Sequence, residues 1–391
     1  MKKLPETILG TTRAKQIRDR VRELVTYETP SGDAEAITQF TELLAVRWRD
    51  WGVITRQIET PVGPVLIGEV EGSGWGRSCD PILLVGHSDT VWPKGTLNSA
   101  LPWSTESGII RGPGVYDMKS GLVVIESVVQ VLVTERHAHP PLRIFVAPDE
   151  ETGSTHTAAI LHKVVEGCSA ALGFESPHPD GALKVGRFGS TRVRISVKGR
   201  AAHAALDPES GISAIDELID QLVRVRGLVE RAPASPLGSV LCNVGSFHAD
   251  GRANVVADSA VAELGLRFPT RMQEIDLLAG ILAPQSIRGG AEATAITLSH
   301  RPSWTARQRD LDLAAVLMPD RPPGRPARGA ADTNMLGSLA LPVVDGLGPQ
   351  GGGAHALTEH IVEADLLTRI NELVSALSNA AHWPPSAFSI R

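Results

Sequence analysis

The chain has 391 residues, of which 42% are hydrophobic and 21% charged, and its net charge is −6. This is an ordinary globular composition, and at this length two domains are expected. A negative net charge gives no reason to expect nucleic acid or an anionic membrane as a partner. The three cysteines, Cys79, Cys168 and Cys242, are far apart and lack CxxC spacing, which argues against a disulfide framework or a thiolate zinc site.

Targeting and membrane signals are weak in this sequence. Two lysines follow the first methionine, but the first twenty residues contain no apolar core of signal-peptide length. No stretch approaches the roughly 20 apolar residues that a membrane span requires. We therefore expect a cytoplasmic enzyme or binding protein.

The first half of the chain alternates helix-like and strand-like segments. Residues 12–27 carry apolar side chains at helical spacing, and a second helix follows a turn. Short apolar runs at 81–86, 141–148 and 169–176 are typical of buried strands. Residues 121–135 are apolar nearly all round, which is typical of a buried helix. This order predicts a largely parallel sheet with helices on both faces.

The pattern changes after Gly189. Residues 191–199 alternate apolar side chains with polar, largely basic ones, as a half-solvated strand does. A helix, two strand-like runs, a second helix and a last strand follow, which is the order β-α-β-β-α-β. We expect an α/β fold in which residues 1–188 and 305–391 form one domain with a mixed, mostly parallel sheet flanked by helices. Residues 189–304 form an inserted ferredoxin-like domain.

Several acids and two histidines stand where the predicted strands end. They are His87 and Asp89 after the first core strand, Asp117 in the glycine-rich loop RGPGVYDMKSG, Asp149, Glu150 and Glu151 after the second core strand, Glu175 after the third, and His355 after the last. Ligand sites of open α/β sheets form outside the carboxyl ends of the strands. These side chains are therefore expected to converge.

Each of these residues alone has an ordinary structural interpretation, since single motif matches often fail and acid runs are usually solvated. Together, several carboxylates in one place repel each other unless a cation lies among them. Lys94, Arg111 and Lys119 stand only at the loop margins. A divalent cation would resolve the conflict.

The predicted ligand set contains two imidazoles and several carboxylates, without thiolate. It suits zinc, and also cobalt or manganese. It exceeds the three protein ligands typical of one catalytic zinc and suits two metals that share a bridging carboxylate. His87 would bind metal, and Asp89 would fix its tautomer.

Six motifs, GHSDTV, GPGVYDMKSG, APDEETGS, GFES, GRAAHA and GGGAHA, resemble in order and spacing the M20 family of zinc peptidases and amidohydrolases. The likeness is greatest to the carboxypeptidase G2, or glutamate carboxypeptidase, group, and it runs from about the first helix to His355. It implies a catalytic domain that binds two Zn²⁺, with Co²⁺ or Mn²⁺ as alternatives, and an inserted lid and dimerisation domain. The implied metal ligands are His87 and Glu175 for one ion, Glu151 and His355 for the other, and Asp117 as the bridge.

The resemblance also implies roles beyond the metal ligands. Glu150 would be the general base, and His203 in GRAAHA would stabilise the tetrahedral oxyanion. In dimeric relatives this histidine reaches the partner subunit's active site. Arg267 would bind a substrate carboxylate, and Asn254 would make a polar substrate contact. Without the resemblance, His203 reads as a surface histidine at a helix start, and Arg267 has a solvated strand-face alternative.

Two segments depart from the family pattern. Ser299 stands where the glutamate-specific relative has a basic residue, two places before Arg301, which weakens any expectation of a C-terminal glutamate. The loop GAADTN replaces GGxxD, but alanine is small, so Gly329 stays a substrate-binding candidate. Arg187 in VGRFGS is a further basic candidate.

We therefore expect a carboxypeptidase-type hydrolase, homodimeric through its lid domain. It would cleave an amide bond to release an amino acid from a small peptide or N-acyl amino acid, by metal-activated water with Glu150 as the base. Two alternatives stay open: an N-acyl-amino-acid deacylase or other amidohydrolase of the same fold, and a catalytically silent binding or scaffold protein. The intact DEE run and both metal histidines argue against the silent protein.

Overall fold

The computed structural model describes residues 11–388. Its helices are α1 (Thr11–Thr26), α2 (Ala34–Asp50), α3 (Ser120–Thr134), α4 (Ala158–Val164), α5 (Ala214–Arg231), α6 (Arg271–Leu282), α7 (Gln308–Leu317), α8 (Thr333–Gly337) and α9 (Glu363–Ser378). Its strands are β1 (Ile54–Ile58), β2 (Val65–Val70), β3 (Ile82–His87), β4 (Ser104–Glu106), β5 (Ile109–Arg111), β6 (Leu142–Ala147), β7 (Ala170–Gly173), β8 (Lys184–Arg187), β9 (Gly189–Lys198), β10 (Leu241–His248), β11 (Ser259–Phe268), β12 (Glu292–Arg301), β13 (Arg325–Ala327), β14 (Val343–Val344), β15 (Gly351–Gly352) and β16 (His360–Val362). None of the helices within residues 11–388 is both long and apolar enough to cross a membrane.

Backbone contacts divide the chain into two compact units. The first comprises Met1–Gly186, Ala306–Ala327 and Ala331–Arg391, and the second comprises Arg187–Thr305 with the short segment Arg328–Ala330. The catalytic and lid roles assigned to the two parts of the sequence stay predictions.

The first unit is built on a six-stranded sheet in the order β1-β2-β6-β3-β7-β14. Strand β3 pairs in parallel with β6 and β7, and β7 pairs in parallel with β14. The pairings of β1 with β2 and of β2 with β6 are antiparallel. The mixed, mostly parallel sheet predicted from the sequence is confirmed, and its antiparallel pairs lie together at the β1-β2-β6 edge.

Strand β3 lies between β6 and β7, is buried along its whole length, and packs closely at its end against the start of helix α3. A Cβ on Gly86 would lie 2.8 Å from the Cε of Met118 and 3.0 Å from a methyl of Leu122, so glycine permits this approach. The backbone N–H of His87 donates to the Sδ of Met118 at 3.3 Å. The end of the strand is therefore fixed against the start of the helix, which places His87 at the carboxyl edge of the sheet.

Helix α3 is buried on nearly every face, as its apolar sequence predicts. Its one carboxylate, Glu126, is completely buried. Glu126 accepts hydrogen bonds from Nη1 of Arg47 at 3.0 and 3.1 Å and from Nε1 of Trp48 at 3.1 Å. Burial raises the pKa of Glu126, although the neighbouring Arg47 and Arg20 oppose that shift. The hydrogen bonds of Glu126 to Arg47 and Trp48 therefore join α3 to α2.

The second unit contains a four-stranded antiparallel sheet in the order β10-β11-β9-β12, with helices α5 and α6 between its strands in sequence. This is the predicted β-α-β-β-α-β order. The alternation along β9 buries Val193, Ile195 and Val197 completely or almost so. The opposite face of the strand carries Arg192 and Arg194, which both pair with Glu263 of β11.

Candidate metal centre

The first unit brings six predicted site residues together at the carboxyl edge of its main sheet. His87 is the last residue of β3, Glu150 and Glu151 lie in a single helical turn after β6, and Glu175 follows β7. Asp117 lies in the turn that enters α3, and His355 lies between β15 and β16. His355 has φ of 60°, a conformation that residues other than glycine seldom adopt and that is often found at functional sites.

The carboxylate of Asp117 lies between the two histidines. Its Oδ1 is 3.1 Å from Nε2 of His87, and its Oδ2 is 3.2 Å from Nε2 of His355. Glu175 Oε1 lies 3.6 Å from Nε2 of His87, and Glu151 Oε2 lies 3.1 Å from Nε2 of His355. The five side chains therefore form two halves that share Asp117. The first half contains His87 and Glu175, and the second half contains His355 and Glu151.

Among the protein groups alone, the imidazoles and carboxylates shift one another's pKa. Burial would lower the pKa of His87, but Asp117 and Asp89 raise it well above its ordinary value. Hydrogen bonds with Asp117 and Glu151 raise the pKa of His355 to about 10. Burial would raise the pKa of Asp117, but its two histidine neighbours lower it. The cluster is thus a concentrated negative site that attracts positive charge.

The basic residues at the margins of these loops are engaged elsewhere. Nζ of Lys94 lies 2.5 Å from Asp33, and Nη1 of Arg111 donates to the carbonyl of Thr358 at 3.2 Å. Lys119 is buried and donates to the carbonyl of Tyr27. Burial lowers the pKa of Lys119 to about 7, which weakens its positive charge near neutral pH.

A divalent cation fits this donor set. Three-residue groups whose ligand atoms lie within 4.8 Å of one another are formed by His87 with Asp117 and Glu151, and by His87 with Glu150 and Glu175. Oε1 of Glu151 is buried and has no hydrogen-bond partner within residues 11–388. Imidazole and carboxylate ligands suit zinc, cobalt or manganese.

Asp89 connects His87 to the acidic turn. Nδ1 of His87 lies 2.9 Å from the backbone carbonyl of Asp89 and 3.4 Å from its Oδ1. The Asp89 carboxylate accepts the backbone N–H groups of Glu150 at 3.1 Å and Glu151 at 3.2 Å, and the hydroxyl of Ser31 at 2.7 Å. The nearest partner that orients the imidazole is therefore the carbonyl, while the carboxylate orients the turn of the two glutamates.

Glu150 is almost fully buried beside the first half of the cluster. With His87 and Glu175 it lines a cavity of about 10 Å³, which is close to the volume that one water needs. Asp149, before it, is buried and accepts from the backbone of His156 at 2.8 Å and the hydroxyl of Thr157 at 2.5 Å. Asp149 therefore shapes the loop.

Two further buried carboxylates support the ligand loops, and the sequence reasoning missed both. Asp345 accepts from the backbone N–H of Glu175 at 3.3 Å, and Glu359 accepts from that of Asp117 at 3.1 Å. The available signal was position, since Asp345 directly follows a core strand and Glu359 stands four residues after His355.

Four other predicted site residues lie in the second unit. The loop of His203 pairs with that of Asn254, because the backbone N–H of Ala204 donates to the carbonyl of Asn254 at 3.0 Å. Nδ1 of His203 accepts the backbone N–H groups of Ala205 at 3.2 Å and Leu206 at 3.1 Å. An acceptor at Nδ1 places the proton of the neutral ring on Nε2, where it can be donated.

The other two, Arg267 and Gly329, lie beside further basic residues. Ser190 on the central strand β9 stands opposite Arg267 on one side and Arg301 on the other, and it accepts from the Arg267 guanidinium. Burial, and secondarily Arg301, lowers the pKa of Arg267. Arg187 donates to the carbonyl of Gly329 at 2.7 Å.

A family model described as peptidase family M20/M25/M40 matches residues 83–379. The chain belongs to this family. The likeness to the carboxypeptidase G2 group is also confirmed: the chain is 26% identical to Carboxypeptidase G2 of Pseudomonas sp. (strain RS-16) over 364 residues, which cover 89% of this chain and 85% of that one. It is 28% identical over 323 residues to a succinyl-diaminopimelate desuccinylase of Gluconacetobacter diazotrophicus, covering 75% and 79% of the two chains.

Solved structures of the M20 family share the fold. The aminopeptidase PepT of Bacillus cereus ATCC 10987 superposes with a TM-score of 0.76 at 19% identity, covering 94% of this chain and 99% of that one. The M20 metallo-carboxypeptidase Sso-CP2 of Sulfolobus solfataricus gives 0.68 at 16% identity, covering 93% and 98%. The M20 assignment makes this chain a peptidase or amidohydrolase.

Proposed function

We propose that this M20 member is a metal-dependent, carboxypeptidase-type hydrolase that releases an amino acid from a small peptide or an N-acyl amino acid. The main support is the position of Asp117, which presents one oxygen to His87 and the other to His355. A carboxylate placed in this way suits two divalent cations about 3.5–4 Å apart. We propose zinc as the resident metal, with cobalt or manganese as alternatives, because imidazole and carboxylate ligands suit all three and the family likeness implies zinc.

The proposed ligands fall into two sets around the shared carboxylate. His87 and Glu175 would hold one ion, Glu151 and His355 the other, and Asp117 both. Such ions polarise a carbonyl and lower the pKa of water. Glu150 is the proposed base: Asp89 fixes its backbone, and it lines the small cavity with His87 and Glu175. It takes a proton from the attacking water and returns it to the leaving amine.

The second unit supplies the proposed substrate contacts. Because Nδ1 of His203 accepts two backbone N–H groups, Nε2 is the ring nitrogen available to donate to developing negative charge. Arg267, with Ser190 and Arg301 in the same row of the sheet, offers guanidinium donors suited to a carboxylate. Asn254 and Gly329 are the proposed polar contacts. These roles follow from matching the family motifs, and the tautomer and the arginine row support them.

Deacylation of N-acyl amino acids is a second candidate reaction on the same site. The desuccinylase relative favours it, because that protein is named for removing a succinyl group. Ser299 in place of a basic residue also argues against a strict requirement for glutamate. A panel of acyl-glutamates, dipeptides, and acetyl- and succinyl-amino acids distinguishes the two reactions by their relative kcat/KM.

Two neighbouring glutamates provide the test of mechanism. Glu150→Gln should retain metal and lose kcat by about 10²–10⁴-fold, the usual contribution of a general base. Glu151→Gln should lose metal as well as activity. If Glu150→Gln turns over substrate at the wild-type rate, Glu150 is not the base. If the wild type binds metal but hydrolyses no substrate of the panel, a silent binding protein is favoured.

We also propose that two copies of the chain associate through the second unit. Strand β10 lies at the edge of its sheet, where it can pair with another strand, and it exposes Leu241 and Phe247. Helix α5 exposes Ile219 and Val223, one turn apart. Sedimentation equilibrium at micromolar concentration should give a dimer for the wild type and a monomer for Phe247→Lys. A monomeric wild type would contradict the proposal.

A further inference from the structure

Glu359 has an unusually complete set of hydrogen bonds for a buried carboxylate. Its side chain is fully buried. Oε1 accepts the backbone N–H groups of Tyr116 at 2.8 Å and Asp117 at 3.1 Å. Oε2 accepts the backbone N–H of Gly114 at 3.0 Å and Nε1–H of Trp92 at 2.6 Å. Four donors converge on one group that is not itself among the proposed ligands.

The donors and Glu359 itself come from loops that present three of the proposed ligands. Gly114 and Tyr116 belong to the turn that ends at Asp117. Trp92 lies five residues after His87, and Glu359 itself lies four residues after His355. One carboxylate therefore fixes the loop of the shared ligand to the loops of both histidines.

The first half of the cluster has additional supports that do not involve Glu359. The carbonyl of Asp89 lies 2.9 Å from Nδ1 of His87, and Asp345 accepts from the backbone N–H of Glu175 at 3.3 Å. In contrast, His355 is exposed and adopts a positive φ. The relation between His355 and Asp117 therefore depends on Glu359 more than the relation between His87 and Glu175 does.

We propose that Glu359 is a positioning residue that sets the separation of Asp117 and His355 and thereby the affinity of the cluster for its second ion. The inference rests on the proposed two-metal function. Hydrogen-bond partners behind metal ligands typically change metal affinity by about 10–100-fold when they are removed. The effect should fall on the second ion, which His355 and Glu151 would hold, and not on the first ion, which His87 and Glu175 would hold.

Glu359→Gln keeps the shape of the side chain and changes its hydrogen bonding. An amide has one acceptor oxygen, and its NH₂ group would face two N–H donors. If the oxygen stays with Tyr116 and Asp117, the NH₂ opposes Trp92 and Gly114. The variant should bind the second ion about 10–100-fold more weakly and the first ion within about threefold of wild type.

Two further variants separate positioning from general stability. Glu126 is also fully buried and also accepts from an indole, that of Trp48, but it lies between α2 and α3. Glu126→Gln should lower stability and leave both metal affinities unchanged. The double variant Glu359→Gln with Trp92→Phe removes one of the opposing donors, so it should recover part of the lost affinity.

The test is a calorimetric titration of metal-stripped full-length protein with Zn²⁺, repeated with Co²⁺ and followed by its visible absorption. The proposal predicts two binding steps for wild type and Glu126→Gln, and a weakened second step with an altered second cobalt spectrum for Glu359→Gln. Two wild-type-like steps in Glu359→Gln, or equal weakening of both steps, would overturn it. A wild type that binds no second ion overturns the two-metal centre itself, and the inference with it.

Discussion

Nε2 of His355 lies 3.2 Å from Oδ2 of Asp117, on the side of the carboxylate opposite His87. The two histidines are 268 residues apart in the chain, and this one carboxylate lies within 3.2 Å of both rings. A shared carboxylate of this kind links two ion sites, so a change at Asp117 should affect both.

Asp117→Asn tests the sharing directly. An amide offers a single ligand oxygen, so it can serve one ion but cannot bridge two. Metal content after dialysis, measured by mass spectrometry, should fall from two ions per chain to one or fewer, and kcat/KM should fall by more than about 100-fold. Asp180→Asn, at a surface pair with Arg325, should keep both ions. Full metal content in Asp117→Asn would exclude the bridge.

Metal binding should release protons at neutral pH. Asp117 and Glu151 raise the pKa of His355 to about 10, so this imidazole is protonated in the metal-free protein below that pH. A ligating imidazole must be neutral, so metal affinity should rise with pH until the pH reaches about 10, the pKa of His355 in the metal-free protein. Calorimetry at pH 7.5 in two buffers of different ionisation enthalpy counts the released protons. His355→Ala should release about one proton fewer, and an unchanged count would contradict the assignment.

His203→Ala should affect turnover more than binding. A donor aimed at a developing oxyanion is worth about 10²–10³-fold in kcat, while KM changes little. Steady-state kinetics on the best substrate of the panel measures both. His248, another exposed histidine of the second unit, lies 3.4 Å from Asp250 and provides the control. Equal losses in His203→Ala and His248→Ala would remove His203 from the mechanism.

Arg267→Met should discriminate between substrates with and without a free carboxylate. A hydrogen bond to a charged group contributes about 1.5–3 kcal/mol, so kcat/KM should fall about 10–150-fold for an acyl amino acid. The same variant should change little for the corresponding C-terminal amide. Arg194→Met is the control, because Arg194 lies on the same face of the sheet, on β9, but pairs with Glu263. A similar loss on both substrates would argue for a structural role.

The sequence predicted the site best where a continuous apolar run ends in a polar side chain. Strand β3 is such a run, and its sequence alone predicts that His87 stands at the carboxyl end of a buried strand. The edge strand β1 was missed because none of its residues is fully buried and no apolar run marks it. Strands β15 and β16 have two and three residues, too few to show a period, although they flank His355.

Long-range hydrogen bonds were beyond the sequence. Glu359 and Asp117 are 242 residues apart, and no local pattern marks a buried glutamate that accepts from a distant backbone. The same limit applies to Asp89: its spacing from His87 indicated contact with the ring. In the folded protein the carbonyl of Asp89 is nearest to Nδ1, while its carboxylate accepts from the backbone of Glu150 and Glu151.

Anomalous diffraction at the zinc edge, from crystals of the zinc-loaded protein, tests the two-metal site most directly. We predict two peaks about 3.5–4 Å apart, one beside His87 and Glu175 and the other beside Glu151 and His355, with Asp117 between them. A single peak, or peaks away from Asp117, would contradict the proposed centre.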